Sequence, residues 1–187
     1  MAPPRRRGTW DREIDYAQAY REILEHARAA GDPRDAFLLV QLANGSRVGE
    51  AVEAVRRACE LGVGPGGKVS VRVEKRRDYY ERPVILPPAL PAELLAKACE
   101  WLKGVSRPKH AIEMYALRAY GFNTHSLRYA FVTWAASQGV PVNLIAKMTG
   151  HKTIDHLITY TERRAAEELL ARLASWAPGA GRAEGAA

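Results

Sequence analysis

Apolar residues recur at helical spacing along most of this chain. Between Thr9 and Ala30, Ile14, Ala17, Tyr20, Leu24 and Ala27 share one face, Asp11 and Glu13 stand in the first turn, and Gly31 follows the end, which predicts a helix. Asp32-Pro33 opens a second, because Asp caps and Pro fits the first helical position. Its Ala36–Leu42 run is apolar enough for a core, and it stops near Asn44-Gly45. A third, from about Arg47 to Leu61, turns Val48, Ala51, Val52 and Val55 inward and closes at Gly62. Four glycines and a proline in residues 62–67 form a loop, after which the period changes to two: the valines of 69–73 alternate with Ser70 and Arg72. A partner strand is expected over about Arg82–Leu86, with Pro83 suited to an edge and Glu74–Glu81 forming a charged tip too polar to bury. Pro87–Pro91 is a rigid connection. Helical patterns then return at Ala92–Lys103, Pro108–Tyr120, 124–138, Val142–Met148 and Arg163–Trp176. The expected fold is mainly α-helical, with one small antiparallel β-sheet.

Neither an internal repeat nor a second-domain boundary is evident. Residues 1–8, with two prolines and three consecutive arginines, read as a flexible basic arm; residues 9–176 read as one domain, and 177–187 as a disordered tail. A length of 187 residues with 47% hydrophobic and 26% charged content is ordinary for one globular domain. Charge narrows the partner: 28 Lys and Arg against 21 Asp and Glu leave +7, which favours a polyanion, nucleic acid first. Since no apolar run approaches the roughly 18 residues of a membrane span and the first ten residues lack the apolar core of a secretory signal, a cytoplasmic protein is expected. Cys59 and Cys99 stand alone in helical segments without C-x-x-C spacing, so reduced core thiols are expected rather than a disulfide or zinc site. No third ligand accompanies His151 and His156, and no metal or cofactor is expected. His26 and His110 read as surface residues, and Trp10, Trp101 and Trp176 as core or partner contacts.

Polar chemistry is concentrated in residues 124–162, where His125, Arg128, His151 and Tyr160 interrupt apolar helical sequence. Buried titratable groups are costly unless paired or used, so such a cluster points to a catalytic pocket. His125 and Arg128 lie three apart and share a helix face; Gly150 ends the next helix and leaves His151 on a connection; Tyr160 follows nine residues later. The succession H-x-x-R, G-H and Y resembles the active-site signature of the tyrosine recombinases, the phage-type integrase and Xer family. Upstream, NGSRVGE resembles that family's G-x-R-x-x-E motif with Gly45, Arg47 and Glu50, and VSVRVEKRRDYYERPVILP resembles its β-hairpin, with Lys75 where the family places a lysine.

The resemblance implies DNA strand cleavage and rejoining without metal. Tyr160 would be the nucleophile, forming a 3′-phosphotyrosyl link. Arg47 and Arg128 would clamp the scissile phosphate. Lys75 would protonate the leaving 5′ oxygen, His125 would assist proton transfer, His151 would bond the phosphate, and Glu50 would orient Arg47. Arg76, Arg77, Lys147 and Lys152 are the flanking cations expected to meet DNA. It further implies double-stranded DNA as partner and a homo-oligomer, a tetramer, on paired sites, with the helix after Tyr160 as an interaction element between protomers. Only the catalytic half of a typical member is matched, because some ten irregular N-terminal residues cannot supply the usual N-terminal clamp domain. A type IB topoisomerase and a non-catalytic DNA-binding module remain as alternatives.

Overall fold

The computed structural model describes residues 14–74, 80–151 and 170. Seven helices and one hairpin follow in order among them: α1 (Tyr16–Ala30), α2 (Arg34–Asn44), α3 (Val48–Leu61), β1 (Lys68–Arg72), β2 (Glu81–Ile85), α4 (Ala92–Gly104), α5 (Pro108–Tyr120), α6 (Thr124–Ser137) and α7 (Val142–Thr149). The fold is thus mainly helical with a small antiparallel sheet, as the periodicity predicts. The expected helix over Arg163–Trp176 lies outside the described residues, apart from Leu170.

Helix α2 is the centre of the fold. Every residue from Asp35 to Leu42 is buried, and α1, α3, α4, α5, α6 and β2 all pack against it. A helix apolar on every side has no solvent face to present, so its neighbours must enclose it. The main core runs from Ile23 of α1 through Phe37 and Leu39 to Val55 of α3, Ile112 of α5 and Leu127 of α6. A smaller cluster of Phe131, Val132, Ala135, Ile145 and Ala146 joins α6 to α7.

The hairpin closes one flank of that core. Its register pairs Lys68 with Ile85 and Val71 with Arg82, and both strands alternate exposed with buried. Val69, Val71, Val84 and Leu86 therefore face inward, and so does Arg82, at 2% exposure.

Three expectations are corrected. Helix α1 begins at Tyr16 rather than near Thr9, because the Asp15 side chain accepts the Gln18 N–H at 2.8 Å and caps the helix there; similarly, Pro33 sits just ahead of α2 while the Asp32 carboxylate takes the Arg34 N–H. His26 is not a plain surface residue: its Nδ1 lies 2.8 Å from the fully buried Asp35 carboxylate. Asp35 also accepts the Tyr115 and Tyr120 hydroxyls at 2.8 and 2.7 Å, so α1, α2 and α5 meet on one carboxylate, and both phenols are pushed above their usual pKa by burial and then by Asp35. Finally, Cys59 and Cys99 form a disulfide rather than reduced thiols, because α3 and α4 pack side by side and bring their Cα atoms within 5.8 Å. Neighbouring helices supplied a pairing that spacing along the chain cannot show. Trp101 does enter the core, against Phe37.

For a bridge between residues 40 apart, loop-closure entropy gives up to about 4 kcal/mol. The Cys59→Ser/Cys99→Ser double variant is expected to unfold in urea with a free energy lower by about 2–4 kcal/mol. An unchanged midpoint would show that helix packing alone holds α4 in place.

Candidate active site

Arg47 ends the turn after α2 and stands at the N-cap of α3, where its backbone is extended (φ −77°, ψ 156°). Glu50, one turn on and 1% exposed, holds it at two points: Oε2 accepts the Arg47 N–H at 3.2 Å and Oε1 accepts Arg47 Nη1 at 3.0 Å. Arg47 Nη1 also reaches the Glu74 carbonyl at 3.4 Å, and the Glu74 N–H donates to Glu50 Oε1 at 3.2 Å. The start of α3 and the root of the hairpin tip are therefore stitched together at this carboxylate.

Arg128 approaches from α6. It is 2% exposed, and its Nη1 donates to two carbonyls at 2.8 Å each, those of Gly45 and Thr149. Gly45 must be glycine here: its φ is +55°, and a Cβ would come within 2.4 Å of Phe131 Cδ1 and 2.8 Å of Thr149 Cγ2. The same guanidinium places Nη2 3.1 Å from the His151 ring nitrogens. Thr149 decides which of them accepts. Its hydroxyl donates to the Ile145 carbonyl at 2.7 Å, so at 2.5 Å from His151 Nδ1 it must accept the ring N–H. That leaves Nε2 as the acceptor for Arg128.

His125, in the first turn of α6, is exposed and makes an edge contact with Tyr129 at 4.8 Å. It borders a cavity of about 490 Å³ shared with His110, Glu113 and Asn123. On the other side of the site, Lys147 is exposed at the rim of a 690 Å³ groove floored by Tyr16, Tyr20, Phe131 and Ile85.

Electrostatics bind these residues into one unit. Burial, then Arg47, pushes the Arg128 pKa down to about 9, which leaves it charged at neutral pH, and Glu50 partly offsets both. Burial, then Arg128, Arg47 and His125, pushes His151 down to about 3, so its imidazole is neutral. Burial alone would raise Glu50, but Arg82 and the Arg47 N–H hold it below the usual carboxylate range.

Arg47, Glu50, His125, Arg128 and His151 thus come together from α3, α6 and the turn after α7. Lys75, Arg76, Arg77, Lys152 and Tyr160 lie outside the described residues. Sequence reasoning missed two contributors. Arg82 was legible in principle, since it continues the inward alternation of Val84 and Leu86; Thr149 carried no signal, because its role depends on the ring it meets. Among the described residues no cluster of His, Cys, Asp and Glu is arranged to hold a metal ion, and no helix is long and apolar enough to cross a membrane.

The His151 shift has a consequence for acid stability. An unfolded imidazole gains its proton near pH 6.5 and the folded one only near 3, so the unfolded state binds more protons between those values. The stability present above pH 6.5 is lost progressively as pH falls toward 3. The His151→Asn variant is expected to lose melting temperature less steeply than wild type between about pH 6.5 and 4.5, above most carboxylate titration. Parallel slopes would show that His151 is not held neutral.

No family model matches the chain, but individual relatives do. It is 32% identical, over an alignment of 196 residues covering 87% of this chain and 88% of its counterpart, to an uncharacterised protein of Methanocaldococcus jannaschii. It is also 32% identical to the "Putative integrase ORF241" of Acidianus two-tailed virus, covering 90% of this chain and 70% of that one. With the "Putative integrase V10" of Sputnik virophage it shares 27% identity across 72% of this chain and 68% of the relative. Among solved structures, XerA recombinase shares the fold with a TM-score of 0.60 at 19% identity, over 87% of this chain and 65% of that chain, so the present chain spans just under two thirds of that recombinase. Identity to a viral integrase along nine tenths of its length, on a fold shared with a Xer recombinase, makes this chain a member of the tyrosine recombinase family of integrases.

Proposed function

We propose that this protein cleaves and rejoins double-stranded DNA in site-specific recombination or integration, through a covalent 3′-phosphotyrosyl intermediate. The observation that carries this reading is the approach of Arg47 and Arg128, from separate elements, to one another with more positive than negative charge around them among the described residues. Three guanidinium groups, of Arg47, Arg82 and Arg128, are close enough to influence one another around the single Glu50 carboxylate. Among the described residues these three cations exceed that one carboxylate by two charges, and burial heightens their cost. A phosphodiester supplies one negative charge in the ground state and a second as its transition state forms, so the field is matched to the reaction rather than to resting DNA.

In this scheme the Tyr160 phenolate attacks the scissile phosphorus, the bond to O5′ breaks, and Lys75 supplies the proton that O5′ acquires. The incoming 5′ hydroxyl of a second strand reverses the step, attacking the phosphotyrosyl bond and returning the phenol. Arg47, 22% exposed with one side of its guanidinium on Glu50 and Glu74, presents the rest to the phosphate. Arg128 is oriented by the Gly45 and Thr149 carbonyls. His151, neutral and fixed by Thr149, adds a hydrogen-bonding group without further charge. His125, which is exposed, would exchange protons with solvent and the reacting oxygens. Arg76, Arg77, Lys147 and Lys152 would meet flanking phosphates, and the active form on paired sites would be a homotetramer.

A nicked suicide duplex tests the chemistry. Wild type is expected to form a covalent protein–DNA adduct resolvable on a denaturing gel. Tyr160→Phe should form none, with fold and DNA affinity unchanged, and adduct at the wild-type rate would refute the nucleophile. Arg47→Ala should slow adduct formation by about 10²–10³-fold. Relaxation of supercoiled plasmid without paired sites would instead favour a type IB topoisomerase, and binding without any adduct a non-catalytic module.

Because binding would rest on phosphate contacts, affinity should fall steeply as salt rises from about 50 to 200 mM. Affinity indifferent to salt, measured by fluorescence anisotropy on a labelled duplex, would contradict an electrostatic interface.

A further inference from the structure

One charged side chain at the site enters the scheme above only through its charge. Arg82, on the inward face of β2, is 2% exposed. Its Nη2 donates to Glu50 Oε2 at 2.7 Å and its Nη1 to the Met148 carbonyl at 2.5 Å, while its Nε has no hydrogen-bond partner among the described residues. It thereby joins three segments: the hairpin, the start of α3 that carries Arg47, and the end of α7 that leads into His151. The contact between hairpin and turn is close. Gly150, at φ +71°, could not carry a Cβ without coming within 2.8 Å of Val73 Cγ1, and Arg82 Cδ lies just behind at 3.5 Å.

Stability does not account for this residue. A buried guanidinium with an unsatisfied N–H, close to two others of like charge, is a costly way to fill an inward strand position, and well-packed apolar side chains often serve as well or better. The bonding pattern gives a different reason. By occupying Glu50 Oε2, Arg82 leaves Oε1 to face Arg47 Nη1 and the Glu74 N–H, which sets the plane of the carboxylate and so the aim of Arg47. By holding the Met148 carbonyl, it fixes the end of α7, whose next carbonyl, that of Thr149, orients Arg128 and whose following residue but one is His151.

We propose that Arg82 is a positioning residue of the phosphate site: one buried guanidinium that sets Arg47 through Glu50, and Arg128 and His151 through the end of α7. The inference rests on the strand-cleavage reading above. It places Arg82 out of contact with DNA, acting on the reaction only through the geometry of groups that meet the phosphate.

The test compares Arg82→Lys and Arg82→Met with wild type on two nicked duplexes, one with an ordinary scissile phosphate and one with a methylphosphonate there, which lacks the negative charge the arginines neutralise. Lysine keeps a cation beside Glu50 but cannot span to the Met148 carbonyl at the same time. On the ordinary duplex, folded variants are expected to lose about 100-fold in adduct formation at saturating DNA, with half-saturating DNA concentration changed by less than about threefold. On the methylphosphonate the deficit should shrink by at least about tenfold, because misaimed guanidinium groups matter less where there is less charge to stabilise. Circular dichroism and melting curves establish folding; if Met unfolds the protein, Lys carries the test, and if both unfold, Arg82 is a structural residue and the inference is overturned. Wild-type rates in a folded variant, an equal deficit on both duplexes, or a loss confined to DNA affinity would each overturn it too. Absence of adduct from wild type itself would remove the strand-cleavage reading and this inference with it, whereas active wild type and equally active Arg82 variants would remove the inference alone.

Discussion

A single buried carboxylate, that of Glu50, holds the site together. It accepts four donors: the Arg47 N–H and guanidinium, the Glu74 N–H and the Arg82 guanidinium. Three of those come from charged side chains or from backbone that leads to them, and the elements they belong to are α3, the hairpin tip and β2. Take the negative charge away and two buried guanidinium groups, of Arg82 and Arg128, and a half-buried one, of Arg47, would be left without their shared counter-ion. At low effective dielectric their mutual repulsion exceeds what any of the hydrogen bonds contributes. The carboxylate is thus a condition for the arginines to be gathered at all, and the positive charge left over among the described residues is what the proposed phosphate site would draw on.

The same logic recurs at the far end of α2. Asp35 is as deeply buried, but its partners are two phenols and the His26 ring, with Arg34 lying over the Tyr115 ring at 4.1 Å. Here two phenols and an imidazole, rather than guanidinium groups, bond the carboxylate, so no surplus of positive charge is gathered around it. One buried acid ties α1, α2 and α5 into the framework; the other ties α3, the hairpin and, through Arg82, the end of α7 into the candidate site. The difference lies in the charge of the donors, not in the depth of burial.

Rigidity around the site comes from close backbone approach. Gly45 lets Phe131 and Thr149 press on the turn before Arg47, and Gly150 lets Val73 press on the turn before His151. At these two points the backbones that carry the polar residues are locked against apolar side chains. The arginines, otherwise long and flexible, therefore have fixed roots as well as fixed heads. The Cys59–Cys99 bridge extends the framework from α3 to α4. Such bridges are unusual in reducing cytosol except in hyperthermophile proteins.

Much of this was legible in the sequence. Periodicity alone located the seven described helices and the hairpin to within a residue or two at most ends, because each element buries one face and its spacing records which. Spacing also grouped His125 with Arg128, since residues three apart on a helix share a face, whereas Arg47 and Glu50 were grouped by the resemblance of NGSRVGE to a family motif. Only the tertiary structure decided the rest. Arg82 bonds Glu50 and the Met148 carbonyl because folding brings β2 within reach of α3 and α7; Thr149 meets the His151 ring because the turn after α7 brings the two together; the two cysteines pair because α3 and α4 are neighbours; and Asp15, by its own hydrogen bond, started α1 later than the apolar pattern did. Periodicity reports which way a side chain faces. What it meets there, and so whether its charge is cancelled, shared or left to bind a phosphate, depends on residues tens of positions away that only folding brings within hydrogen-bonding reach.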